Sequence, residues 1–177
     1  MKVELEIPEG VTVKLDGKAV EVTGPLGTIK KDLSFMPRIS FSMAEGNFAI
    51  TTDKDGKRDK MFSHTALSHI NNLFIGVTKG YRYKLAIVHV HFPMRLSLQG
   101  NVFTLDNFFG SKTPRKGKKY EDVNVKIESK EVIIEGINKE HVGQTSANLE
   151  ALTRVKSKDR RVFKDGIYLT ERGNIHE

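Results

Sequence analysis

No cysteine occurs among the 177 residues. Disulfides and thiolate metal centres are therefore excluded, and a reducing compartment is the simplest setting. Long apolar runs are missing too. The longest, Leu85-Ala86-Ile87-Val88, is strand-sized and far short of the roughly 20 residues a membrane-spanning helix needs. The basic residues are not gathered along one amphipathic helix, which argues against a membrane-surface role. Met1-Lys2-Val3-Glu4-Leu5-Glu6 alternates charged and apolar residues, unlike a signal or transit peptide. What is present is 38% hydrophobic residues, enough for packed cores, and an excess of cations. The 29 Lys and Arg outnumber 22 Asp and Glu to give a net charge of +7. A positive field of that size favours polyanionic partners and is silent on fold. Composition predicts a soluble, cytoplasmic polyanion binder with no membrane partner.

The chain repeats itself. Residues 13–22, Val-Lys-Leu-Asp-Gly-Lys-Ala-Val-Glu-Val, are echoed by residues 96–105, Leu-Ser-Leu-Gln-Gly-Asn-Val-Phe-Thr-Leu. Apolar positions fall on apolar positions and Gly17 falls on Gly100 at an offset of 83, a shift that also carries Gly27 onto Gly110. The alternating stretches around Ile39–Met43 and Phe48–Ile50 return, with a residue of slippage, at Val123–Ile127 and Val132–Ile134. Each copy then has a helical stretch, near residues 57–78 with Phe62, Ala66, Ile70, Leu73 and Val77 as its apolar stripe, and near residues 139–156 with Val142, Ser146, Leu149, Leu152 and Val155. Gly80 is a suitable C-terminal stop for the first and Asn138 an N-cap for the second. Asp16-Gly17 and Gln99-Gly100-Asn101 mark hairpin turns, Glu45-Gly46-Asn47 and Glu128-Ser129-Lys130 mark two more, and Asp165-Gly166 suggests another near the end. Alternation over residues 81–92 predicts one strand opening the second copy. The resulting expectation is an α+β fold, a tandem duplication of a small domain. Each copy, over residues 1–80 and 81–177, has antiparallel strands in two small sheets and one principal helix around one core.

Catalytic chemistry finds little support. His89 and His91 would share a strand face, but no carboxylate lies at ligand spacing, so no metal is expected. His64 and His69 are five apart on a helix and do not share a face. Gly24-Pro25-Leu26-Gly27 follows a strand without opening a helix and is a turn, not a phosphate loop. Gly143-Gln144-Thr145-Ser146 offers hydroxyls but no base. Neither a nucleophile elbow nor a dinucleotide fingerprint occurs. No enzyme activity and no cofactor are expected.

The cations are more informative. Residues 111–119 hold Lys112, Arg115, Lys116, Lys118 and Lys119 with no acid, in a segment whose Gly, Pro, Ser and Thr predict an exposed loop. Residues 154–164 hold Arg154, Lys156, Lys158, Arg160, Arg161 and Lys164 against Asp159 alone. Two such runs in one repeat point to phosphate binding, which suits the planar two-pronged donor of Arg. Total charge does not separate the halves: residues 1–86 carry 13 basic and 10 acidic residues, the remainder 16 and 12. Clustering does. Phe108, Phe109, Tyr120, Phe163 and Tyr168 lie nearby and could stack on unpaired bases, although core packing accounts for most aromatic residues.

Val20-Glu21-Val22-Thr23-Gly24-Pro25-Leu26-Gly27, Val132-Ile133-Ile134-Glu135-Gly136 and the terminal run from Arg161 through Asp165-Gly166-Ile167-Tyr168 to Arg172 resemble the universal sixth large-subunit ribosomal protein family. The terminal run resembles its archaeal and eukaryotic branch; the tyrosine-lysine-glycine-lysine-glycine stretch of the bacterial branch is absent. The resemblance implies a structural constituent of the large ribosomal subunit, bound to large-subunit rRNA beside the region where translational GTPases dock, among neighbouring ribosomal proteins. It implies that the second repeat supplies most of the rRNA contact, with Arg172 joining the two clusters. The alternative is a free-standing RNA-binding module or ribosome-assembly factor.

Overall fold

The computed structural model describes residues 2–36, 38–44, 46–52, 56–155, 158–159 and 161–176. The chain divides into two compact units, residues 1–80 and 81–177, each built on the same plan.

In the first unit, β1 (Lys2–Glu6), β6 (Asn47–Thr52) and β5 (Ile39–Ala44) form one antiparallel sheet in the order β1-β6-β5. A second sheet has the order β2-β3-β4, from β2 (Thr12–Asp16), β3 (Ala19–Gly24) and β4 (Gly27–Asp32). Helix α1 (Lys57–Thr78) packs on both sheets. The second unit repeats this with β7 (Tyr81–Val88), β12 (Glu131–Gly136) and β11 (Asn124–Ile127) in one sheet, and β8 (Arg95–Gln99), β9 (Val102–Asp106) and β10 (Arg115–Lys118) in the other. Helix α2 (Lys139–Leu152) lies against both. Among the described residues one strand has no counterpart in the first unit: β13 (Gly166–Asn174) adds to β7, giving the order β11-β12-β7-β13.

The offset of 83 survives as matched cross-strand pairs. Val13 faces Val22 in one hairpin and Leu96 faces Leu105 in the other. Val22 and Leu105 are both fully buried, each such side chain contributing on the order of 1.5–3 kcal/mol. Gly17 and Gly100 hold the two turns at φ of 62° and 57°, a region where a Cβ is unwelcome. On the helices, Ser63 and Ser146 and then Ala66 and Leu149 are equivalent buried positions. Gly80, at φ 67°, donates its N–H to the Ile75 carbonyl and stops α1, while the Asn138 side chain accepts the Glu140 N–H and starts α2.

Several local expectations change. The strand opening the second unit stops at Val88, not Phe92, so His89 and His91 lie in the following loop and share no strand face. The reason is Asp165, whose carboxylate accepts the Val90 and His91 N–H groups at 3.0 and 3.2 Å and draws the chain out of the ladder. Asp165-Gly166 is accordingly not a hairpin turn: Asp165 anchors that loop and Gly166 begins β13. Helix α2 ends at Leu152 rather than near residue 156, because Arg115 takes the Leu152 carbonyl at 2.7 Å and Val155 falls outside the helix. Gly27 and Gly110 share the offset but not the role. Gly27 opens β4, whereas Gly110 closes a 3-10 turn, Phe108–Gly110, inside a longer connection. Phe62 on α1 is only half-buried, and Ser63 takes the core-facing place.

Candidate nucleic-acid interface

The segment of residues 111–119, expected to be a loop, contains strand β10, which pairs with β9 through Arg115↔Leu105 and Lys118↔Val102. Period-two alternation then sorts its cations. Lys116 and Lys118 face solvent, and Lys112 is exposed in the turn before them. Gly117 faces inward, where an added Cβ would come within 3.2 Å of the Leu152 side chain. Gly117 thus lets β10 lie close along α2, a role different from the loop signal its sequence context carries. The same strand edge is tied to the helix by Asn148, whose amide donates to the Lys118 carbonyl at 2.8 Å.

Arg115 and Lys119 belong to the framework. The Arg115 guanidinium donates to the Leu152 and Arg154 carbonyls at 2.7 and 3.2 Å and lies 4.4 Å over the ring of Phe108, which is 2% exposed. It therefore caps the C-terminal end of α2, where orphan carbonyls and the helix dipole favour a cation. The Lys119 ammonium donates to the Val123 and Tyr120 carbonyls at 2.8 and 3.2 Å.

In the second cluster Arg154, Lys158, Arg161 and Lys164 are exposed; Lys156 and Arg160 lie outside the described residues. The backbone here is irregular but tethered. Asp159 accepts the Arg161 N–H at 2.9 Å through its side chain and the Phe163 N–H at 2.9 Å through its carbonyl, and the Tyr168 hydroxyl donates to the Lys164 carbonyl at 3.0 Å. Phe163 sits with its ring centroid 5.7 Å from Phe109 and 5.1 Å from His91, and the Lys158 ammonium lies 4.6 Å from its ring. Contacts through Arg115, Arg154 and the Phe109–Phe163 pair bring the two clusters together at the C-terminal end of α2. Arg172 stands apart. It is on β13, 6.0 Å from the Tyr83 ring, beside a groove lined by Lys139, Gly143 and Leu169 toward the other end of the helix.

The group that organises the surrounding loops carries no positive charge and gives no motif. Asp165 is 1% exposed. Burial pushes its carboxyl up, but hydrogen bonds from Val90, the His91 ring, and the His91 and Phe92 backbone outweigh that and hold it below the usual carboxylate range. In the sequence Asp165 is only the first half of an Asp-Gly pair, and nothing local distinguishes a turn aspartate from one that binds amides 75 residues away. Of the nearby aromatics, Phe108 is core. Tyr120 stacks on His141 at 4.1 Å, and the His141 ring is held by Asp122 at 2.7 Å. Among the described residues no three His, Asp or Glu side chains converge as a metal site, and no helix is long and apolar enough to cross a membrane.

The family model described as ribosomal protein L6 matches this chain twice, over residues 7–80 and 92–166, once in each unit. Curated relatives match along nearly their whole length. The large ribosomal subunit protein uL6 of Staphylothermus marinus is 43% identical over 173 residues, covering 96% of this chain and 94% of that protein. The protein of the same name from Methanosphaera stadtmanae is 44% identical over 169 residues, with coverage of 95% and 91%. That from Natronomonas pharaonis is 40% identical over 178 residues, with coverage of 99% and 100%. A duplicated match on a duplicated fold, with relatives aligned through both copies, shows that the chain belongs to the ribosomal protein L6 family, whose members are structural and not enzymatic.

Proposed function

We propose that this protein is a structural component of the large ribosomal subunit, held on large-subunit rRNA chiefly by its second repeat. The observation that carries the reading is the meeting of two cation-rich segments around the C-terminal end of α2, with Lys112, Lys116 and Lys118 on one side and Arg154, Lys158, Arg161 and Lys164 on the other, all exposed. Cations so placed pair with phosphates and release condensed counterions, which supplies affinity and fixes orientation. Because the A-form major groove is too narrow for side-chain readout, specificity comes from shape, 2′-hydroxyls and unpaired nucleotides. The protein acts as a clamp on folded RNA. Family resemblance extends the proposal to a cytoplasmic ribosomal location beside the docking region of translational GTPases, with other ribosomal proteins as neighbours.

The test is binding of the full-length chain to large-subunit rRNA fragments across a salt titration. Affinity is expected to fall linearly on a log–log plot, with a slope of magnitude about 0.7–0.9 per phosphate contacted. A salt-independent affinity would remove the electrostatic clamp. Co-sedimentation with large subunits after a high-salt wash separates a resident component, which stays bound, from an assembly factor, which is lost.

A further inference from the structure

Three apolar side chains are exposed within the cation-rich end of the second unit. Val90 is 70% exposed, Val162 62% and Phe92 45%. They come from segments that the fold holds side by side. Asp165 fixes the loop carrying Val90 and Phe92 through the Val90 and His91 N–H groups, and the ring of Phe163, next to Val162, lies tilted with its centroid 5.1 Å from that of His91. The Phe92 ring rests over Gly110, where an added Cβ would lie 3.5 Å from Phe92 Cε1. The neighbouring Phe109 is held at φ 52°, a conformation rare for a bulky residue. Strain of this kind persists where surrounding contacts over-determine it, and it clusters at binding sites. Here it places the Phe109 ring edge-on to Phe163 at 5.7 Å. The result is an apolar platform with the Lys158 ammonium 4.6 Å from the Phe163 ring and the exposed Arg161 and Lys164 flanking Phe163 along the chain.

An exposed ring and apolar side chains ringed by cations match one kind of occupant, a base attached to a phosphate chain. Aromatic side chains stack on the π-face of unpaired bases while cations hold the backbone. A docked protein helix or strand would leave the surrounding cations without counter-charge unless it were acidic. We infer that this platform is a subsite for an unpaired RNA nucleobase, with Phe92 as the stacking ring and Lys158, Arg161 and Lys164 on the flanking phosphates. The inference rests on the proposed RNA contact of the second repeat and specifies what that contact seats.

The experiment compares full-length chain binding to a single-stranded oligoadenylate of about eight nucleotides, a site size typical of such surfaces, with binding to an abasic ribose-phosphate oligomer of equal length. Stacking of one base predicts a preference of roughly five- to a hundredfold for the base-bearing strand. Phe92→Ala should abolish that preference while Phe92→Trp retains it, with thermal melts confirming that both variants fold. Equal binding of the two oligomers, both salt-sensitive, overturns the nucleobase subsite and leaves the phosphate clamp standing. A preference that survives Phe92→Ala also overturns it, because the stacking ring would lie elsewhere. Failure to bind either oligomer while large-subunit rRNA fragments still bind overturns the nucleobase subsite alone, and failure to bind the rRNA fragments as well overturns the phosphate clamp with it.

Discussion

The connection between the last two strands of the hairpin sheet takes two residues in the first repeat, Pro25-Leu26, and eight in the second, residues 107–114. After the helix, the first repeat stops at Gly80, whereas the second continues through residues 153–165 into β13. The second addition carries Arg154, Lys158, Arg161 and Lys164, the first carries Lys112 and leads into Lys116 and Lys118 on β10, and the two additions meet at the Phe109–Phe163 contact. The shared strands and helix of the two repeats are alike in burial and register and supply each core, while the additions, together with β10, expose the clustered cations. Charge follows the same division. Residues 1–80 hold 11 basic and 10 acidic residues, residues 81–177 hold 18 and 12. Counting from residue 86 hides this, because Arg82 and Lys84 belong to β7.

Cutting equivalent core positions tests the shared plan with the largest effect. Leu105→Ala should cost about 2–5 kcal/mol, and Val22→Ala in the first repeat less, by about one methylene or roughly 1 kcal/mol. Chemical denaturation measures both; a Leu105→Ala chain as stable as wild type would mean that the buried Leu105 side chain does not hold the core.

A second comparison sets Asp165 against Asp32. The Asp32 carboxyl is also held low, first by the Ser34 N–H and then by the Ser34 hydroxyl, but at an exposed turn. Both groups have folded pKa values below their unfolded ones near 3.9. Each therefore contributes stability that is present above about pH 4 and is lost as pH falls through the lowered folded value. Asp165→Asn should destabilise by about 1.5–3 kcal/mol, the worth of hydrogen bonds to a buried charge, and should flatten the acid limb of the stability curve. Asp32→Asn should leave that limb nearly unchanged. Melts between neutral and acidic pH check the pair, and equal effects would show that burial is not what distinguishes them.

Lysines sharpen the contrast between the repeats. Replacing Lys112, Lys116 and Lys118 together with Ala should weaken rRNA binding at least about tenfold and reduce the salt slope by roughly two to three units. The same treatment of Lys14, Lys30 and Lys31 in the first repeat should do neither. Equal losses from both triples would place the RNA on both repeats. Lys119 is left out of the set because its ammonium ties the Val123 and Tyr120 carbonyls, so its loss would confound binding with folding.

The smallest expected effect separates framework from interface within one strand. Arg115→Lys gives up the fork that spans two carbonyls and the Phe108 ring, costing about 1 kcal/mol of stability. Lys116→Ala, one residue on, should stay within about 0.5 kcal/mol. Thermal melts of the two variants measure the difference, and a larger loss from Lys116→Ala would reverse the assignment.

The repeat was legible because it is written in local terms. Alternation around Gly17 and Gly100, the helical stripes, Asn138 as a cap and Gly80 as a stop all act within a few residues of themselves, so periodicity and turn chemistry reveal them without knowledge of the fold. The cation-rich segments were visible for the same reason: Lys and Arg counts need no partner. Which of those cations are free could not be read, because Arg115 and Lys119 look like their neighbours until α2 and the chain at Val123 arrive beside them. Neither could the end of β7, the role of Asp165 or the placement of β13, since each depends on groups far apart in sequence. Composition and period settled the elements and the sign of the field; long-range packing alone decided which charges were bound into the framework and which were left facing solvent.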